Sequence, residues 1–204
     1  MYNFVDQINM KGHLTIHKVM DGQEELVYDE DNVITSGFGW SMSYLYALAA
    51  ADSITDFQID RFQIGVSGNS GAQVSSTFEL SGPLSSIDEY LGTGDSNINA
   101  FTAKQYKNNS SPDAVFAKIP YTKVTRIDDR SVRYTIFIDE DSCNNISRPP
   151  ENTEVALNEI ALFVKNPTGN RINETSVMAA YRYFSDIRKT NQFGLVFRWT
   201  ITFG

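Results

Sequence analysis

Cysteine is almost absent from this chain. Cys143 is the single one in 204 residues, so no disulfide can close within it and no cysteine-based zinc site can form. Long apolar runs are also missing: the longest, Leu45 to Ala51, is far short of the ~20 residues that cross a bilayer. The opening MYNFVDQINMKGH lacks the basic-then-apolar form of a secretory leader, so the expectation is a soluble protein kept in a cytoplasm, without a membrane partner. No internal repeat or low-complexity tract is visible. Basic residues are scarce in the first half: residues 1–102 hold three Lys/Arg against fourteen Asp/Glu, a net of −11. Residues 103–204 hold fourteen against eleven, a net of +3, which together make the overall −8. That balance argues against a nucleic-acid partner, which needs clustered cations. Such asymmetry orients copies head to tail if the two halves show different faces, and loses that meaning if they interleave in space.

What is present is core material. At 41% hydrophobic and 12% aromatic, the chain suits a single domain over 1–204. Its last stretch, KTNQFGLVFRWTITFG, places Phe193, Leu195, Phe197, Trp199, Ile201 and Phe203 at every second position. A period of two predicts a long half-buried strand whose last residues are held in the core. Near the start, two strand-like runs flank Met20-Asp21-Gly22-Gln23, a hairpin signal. The period then changes. GFGWSMSYLYALAAAD puts Trp40, Tyr44 and Leu48 on one helical face over about 36–51, with Ser36 as its cap.

In DFQIDRFQIGV the apolar phase slips between Ile59 and Phe62, predicting a β-bulge at Asp60 and Arg61. Residues 67–112, rich in Gly, Ser and Asn, read as a loop-rich insertion or contact arm with a short helix near 85–91. Further strands are expected at 114–127, 131–139, 153–165 and 177–187. Eight to ten mostly antiparallel strands give a mainly β fold, an antiparallel β-sandwich or jelly roll.

Chemistry-bearing patterns are few. His13 and His17 lie four apart, but on a strand, where ~13 Å separates them and no shared metal fits. GVSGNSGA lacks both the Gly-Lys-Ser/Thr of a phosphate loop and a Gly-x-Ser-x-Gly turn, and reads as a connector. Asp29-Glu30-Asp31 and Asp139-Glu140-Asp141 lack the spacing of a calcium loop and read as solvated turns. Glu159 stands out within the apolar VALNEIALFV. Two readings fit it: an ion pair with a strand arginine, Arg182 or Arg198, or a general acid of raised pKa. Tyr181 and Tyr183 alternate in MAAYRYFSDI and suit a contact surface for a sugar or protein, or a sheet face under a loop.

Several segments carry a resemblance. GHLTIHKVMDGQEELVYDEDNVITSGFGWSMSYL, a hairpin followed by an Asn-x-Ile/Val-Thr-x-Gly turn and a helix, is similar to the opening of many small virion proteins of tailed bacteriophages. FQIGVSGN resembles their Ile-Gly-x-Gly step, with Val66-Ser67 here before the second glycine. LNEIALFVKN, MAAYRYFSDIRKT and LVFRWTITF resemble the closing strands of phage tail, baseplate and fibre-attachment proteins.

The resemblance implies a non-enzymatic β-sandwich subunit of a virion, assembled in the host cytoplasm. It would form a ring or trimer at the tail, neck or baseplate and touch other virion proteins, with no catalytic residue, cofactor or metal. The alternatives are a capsid decoration protein and a receptor-binding module that holds a host glycan through Tyr181, Tyr183, Tyr90 or Phe101. A weaker one is a glycan hydrolase with Glu159 as its acid.

Overall fold

The computed structural model describes residues 9–47, 53–84, 100–102, 115–140, 142–144, 156–165, 167 and 176–204. Among them are ten strands and one α-helix: β1 (Lys11–Met20), β2 (Gln23–Ile34), α1 (Ser36–Ala47), β3 (Ile59–Gly65), β4 (Ala100–Thr102), β5 (Val115–Lys118), β6 (Val124–Arg126), β7 (Ser131–Ile138), β8 (Leu157–Val164), β9 (Val177–Ile187) and β10 (Gly194–Thr202). The strand order is β4-β5-β3-β8-β9-β2-β1-β10-β7-β6, and every pairing is antiparallel. The mainly β expectation therefore holds.

Local sequence explains several joints. Met20 pairs with Gln23 across a two-residue turn in which Asp21 has φ +52° and Gly22 φ +75°. Positive φ at both central positions matches the right-handed twist of the flanking strands, which is why Asp-Gly closes this hairpin. The β3–β8 register shifts between Ile59 and Arg61, where the slipped phase predicts a bulge.

β10 runs between β1 and β7 with Leu195, Phe197, Trp199 and Ile201 fully buried. The Trp199 indole N–H donates to Asn32 Oδ1 at 2.7 Å, so burial of this ring strands no polar atom. One apolar cluster joins these side chains to Ile64 of β3 and to Ile160 and Leu162 of β8. In the strand order β3 and β10 are five steps apart, ~24 Å in a flat sheet, so the sheet must curl for both to reach one core.

The helix begins at Ser36 as its first residue, which puts Thr35 rather than Ser36 at the cap position. The Thr35 hydroxyl donates to the Met178 carbonyl of β9 at 2.5 Å, tying the helix entry to the sheet. The buried face is Gly37, Phe38 and Ser41, not the predicted Trp40–Tyr44 face. Those two rings instead pack on each other, 4.5 Å between centroids, on a half-buried side. The small residues let the helix backbone come close to β9: a Cβ on Gly37 would lie 2.6 Å from the Met178 carbonyl oxygen. The expected continuation of the helix over 48–51 and the short helix near 85–91 lie outside the described residues.

Candidate functional site

Strand β8 differs from β10 in being covered on both faces. Ile160, Leu162 and Val164 point into the main core, while Ala161 and Phe163 join Leu80, Phe116, Met178 and Tyr181 in a second cluster on the opposite face. Glu159 has the parity of Ala161 and Phe163 and is fully buried with them. The cover on this side includes residues 66–84, which return to the sheet through Val66 N–H to the Gly82 carbonyl at 2.9 Å and Leu84 N–H to the Ile64 carbonyl at 3.0 Å.

The Glu159 carboxylate meets that cover. Oε1 accepts from Gly82 N–H at 2.6 Å; Oε2 accepts from Ser81 N–H at 3.0 Å and from the Tyr181 hydroxyl at 3.0 Å. Three donors in a water-excluded setting replace the hydration of the charge. Burial and the neighbouring carboxylate push the Tyr181 phenol well above its ordinary pKa, so it stays a donor.

Two of the three glycines of GVSGNSGA have their reason here. A Cβ on Gly65 would lie 2.5 Å from Glu159 Oε1, and one on Gly68 would lie 2.6 Å from the Glu159 Cβ. The motif is no loose connector: it lies against the carboxylate, and Gly68 N–H donates to Asn158 Oδ1 at 2.8 Å. In the 67–112 insertion, residues 67–84 are thus packed onto the sheet and residues 100–102 form its strand β4.

Neither arginine predicted to pair with Glu159 does so. Register sets Ile160 opposite Arg182 and Glu159 opposite Tyr183, so Arg182 projects from the other face of the sheet. Arg182 instead binds Glu30 and the Tyr28 hydroxyl, and donates to the Asp31 carbonyl at 2.7 Å. Tyr28 also donates to the Tyr183 carbonyl at 3.2 Å. Its phenol is pushed up to about 12, chiefly by burial. This cluster bridges β2 and β9 beside their short direct pairing, Val33 with Tyr181 and Ile34 with Ala180. Arg198 lies on the open face of β10 and reaches Glu24 Oε2 at 2.8 Å and His17 Nδ1 at 3.0 Å.

Asp29-Glu30-Asp31 is part of β2 rather than a turn. Asp29 and Asp31 both meet His13, at 2.7 and 2.9 Å, whereas Glu30 faces Arg182. The hydrogen bond that His13 donates to Asp31 leads the effects that raise the His13 pKa, against partial desolvation. His17 is lowered, first by burial and then by the Arg198 charge. Asp139 is buried, and its Oδ1 accepts from Ser142 N–H at 2.9 Å. Among the described residues no group of His, Cys, Asp and Glu is arranged to hold a metal. No helix among them is long and apolar enough to cross a membrane.

The predicted tyrosine contact surface does not form as expected. Tyr181 is fully buried beneath the 66–84 cover, which realises the alternative of a sheet face under a loop, and Tyr183 is half-buried. Tyr90 lies outside the described residues, and of Phe101 only the backbone, in β4, is described. Sequence reasoning also missed the Tyr28–Arg182–Glu30 cluster. Its only sequence signal is an arginine at the core parity of β9, between Ala180 and Phe184.

What the Glu159 arrangement can do chemically is hold a loop to a sheet: its oxygens are occupied by protein donors and covered from solvent. No protein-family model matches this chain, and no curated protein or solved structure is significantly similar to it.

Proposed function

We propose that this chain is a non-enzymatic structural subunit of a tailed-phage virion, assembling with copies of itself and with other virion proteins at the tail, neck or baseplate. One observation carries the reading. The separate segments that resemble phage virion proteins, scattered from residue 12 to residue 203, form adjacent strands β3-β8-β9-β2-β1-β10, with α1 tied to β9. The likeness therefore maps onto one continuous structural unit, and the unmatched middle supplies both flanks, β4-β5 and β7-β6.

In this reading the two ends of the curled sheet are the layers of a β-sandwich, with the shared cluster of Ile64, Ile160, Leu162, Phe197 and Trp199 between them. The fully buried carboxylate of Glu159 holds the cover loop. Quantitative mass spectrometry of purified particles tests the proposal. A low, ring-like copy number relative to the major capsid protein is expected; a ratio near one would make this a decoration protein instead. Absence from the particles would overturn the virion role.

A further inference from the structure

The half of the sheet ordered β2-β1-β10-β7-β6 has two edges of opposite charge. Residues 21–31, the hairpin turn and most of β2, carry Asp21, Glu24, Glu25, Asp29, Glu30 and Asp31 without one Lys or Arg, and all six are exposed. Arg198 and Arg182 offset two of these charges, and His13 and Lys18 of β1 lie against Asp29, Asp31 and Glu25, which still leaves an excess of negative charge on the edge. At the other end, residues 119–133 carry Lys123, Arg126, Arg130 and Arg133 against Asp128 and Asp129, a net of +2.

Both edges also have strand backbone to offer. Among the described residues, Gln23 to Asn32 of β2 pair as strand with β1 and not with β9, although the Arg182 side chain of β9 covers the Asp31 carbonyl. β6 is the last strand in the order, and among the described residues it pairs with β7 alone. Each edge carries exposed apolar side chains among its charges: Leu26 at 51% and Val27 at 43% on the acidic one, Tyr121 at 85% and Ile127 at 44% on the basic one. Open strand edges with exposed apolar residues are usually blunted or covered, since they template pairing with another chain. Here each edge is flanked by charge that repels its own kind and attracts the other.

We infer that copies of this chain bind head to tail, the acidic β2 edge of one against the basic β6–β7 edge of the next. The inference rests on the subunit reading above and assigns its self-contact. A second copy is the occupant because every copy supplies both complementary edges. They lie four strand steps apart, ~19 Å, on opposite ends of one half-sheet, so they cannot satisfy each other within one molecule. Two different surfaces in contact make a heterologous interface, which gives a ring where the rotation closes and a filament where it does not. Apolar residues ringed by opposite charges suit an interface whose core gives affinity and whose rim sets partner and direction.

The test is a charge exchange on the full chain, read by light scattering and native mass spectrometry. Wild type is expected to form oligomers that dissociate as salt is raised. Glu24→Lys/Glu25→Lys lowers the formal charge of residues 21–31 from −6 to −2, which Arg182 and Arg198 bring close to zero, and Lys123→Glu/Arg126→Glu turns the basic edge acidic. Each variant should keep its circular dichroism and associate at least tenfold more weakly with itself. Mixed one to one, they should associate with each other, because the unaltered basic edge of the first meets the unaltered acidic edge of the second.

A wild-type oligomer that ignores both exchanges, or a mixture that fails to reassemble, would overturn this interface and leave the subunit reading standing. A wild type that stays monomeric at low salt would also overturn it, including the case of a basic partner of another kind docking on β2. Particle composition tests the virion role separately, so the two failures are distinguishable.

Discussion

The β3-β8-β9 part of the sheet hides charge under a loop, whereas the β2-β1-β10 part displays it to water. In the first, β8 is apolar on both faces and its single carboxylate, Glu159, is met by two backbone amides and a phenol. In the second, β10 alternates between fully buried side chains and Arg198, Thr200 and Thr202, and its ion pairs are partly solvated. A covered face demands a protein donor for each lone pair in use, while an open one leaves much of that work to water. Charges of the same formal kind should therefore differ sharply in what they contribute.

Replacing one carboxylate in each part is the strongest way to break this comparison. Glu159→Ala would leave the amides of Ser81 and Gly82 and the Tyr181 hydroxyl without their acceptor, and is expected to cost about 3–5 kcal/mol in denaturant unfolding. Glu24→Ala, which removes a partly exposed partner of Arg198, should cost less than about 1 kcal/mol. Equal losses would show that the buried and open sites are not energetically distinct.

The next largest effect tests the cover itself. Gly65→Ala drives a methyl group against Glu159 Oε1 and the Gly82 carbonyl, 2.5 and 2.7 Å from the ideal Cβ position. A loss of about 1–3 kcal/mol is expected, with faster hydrogen exchange at Ser81 and Gly82. Unchanged exchange would mean that the loop is not held through this contact. Tyr181→Phe removes one of the three donors and should cost about 1–1.5 kcal/mol, while deleting an alkaline-resistant phenol from an ultraviolet titration.

The smallest effect lies on the open face. The raised pKa of His13 means that its contribution is fully present below the unfolded value and is lost as pH rises through the folded one. His13→Gln should therefore destabilise the fold more at about pH 5.5 than at about pH 8. His17, whose pKa is lowered, should show the opposite trend when replaced. Unfolding midpoints measured across that range would expose a wrong sign directly.

Much of the fold was legible because its signals are local. Alternation from Phe193 to Phe203 reports burial through the pleat alone, and the Asp21-Gly22 pair names its turn through backbone sterics. The phase slip at Asp60 and Arg61 is equally local, since one extra residue reverses the faces of all that follow. The helix start could be read, but its buried side could not: Trp40 and Tyr44 marked the wrong face, because close approach to β9 favoured Gly37 and Ser41.

The site was legible only as an anomaly, a carboxylate in an apolar strand. Its partners come from residues 81–82 and 181, and nothing in one strand records which loop will cross it. Tyr181 and Arg182 show the same limit: adjacency gives them opposite faces, but sheet order decides that one is sealed under a loop and the other bridges to β2.

By itself the sequence determined a mainly β chain, the parity of its strands, its tightest turn and a charge balance split between its halves. Only the tertiary structure decided that the acidic stretch and the basic stretch become opposite edges of one half-sheet, and that Glu159 is paired with a loop rather than an arginine. Parity follows from bonds along the chain, whereas partners and edges follow from which distant strands find each other when the sheet closes over its core.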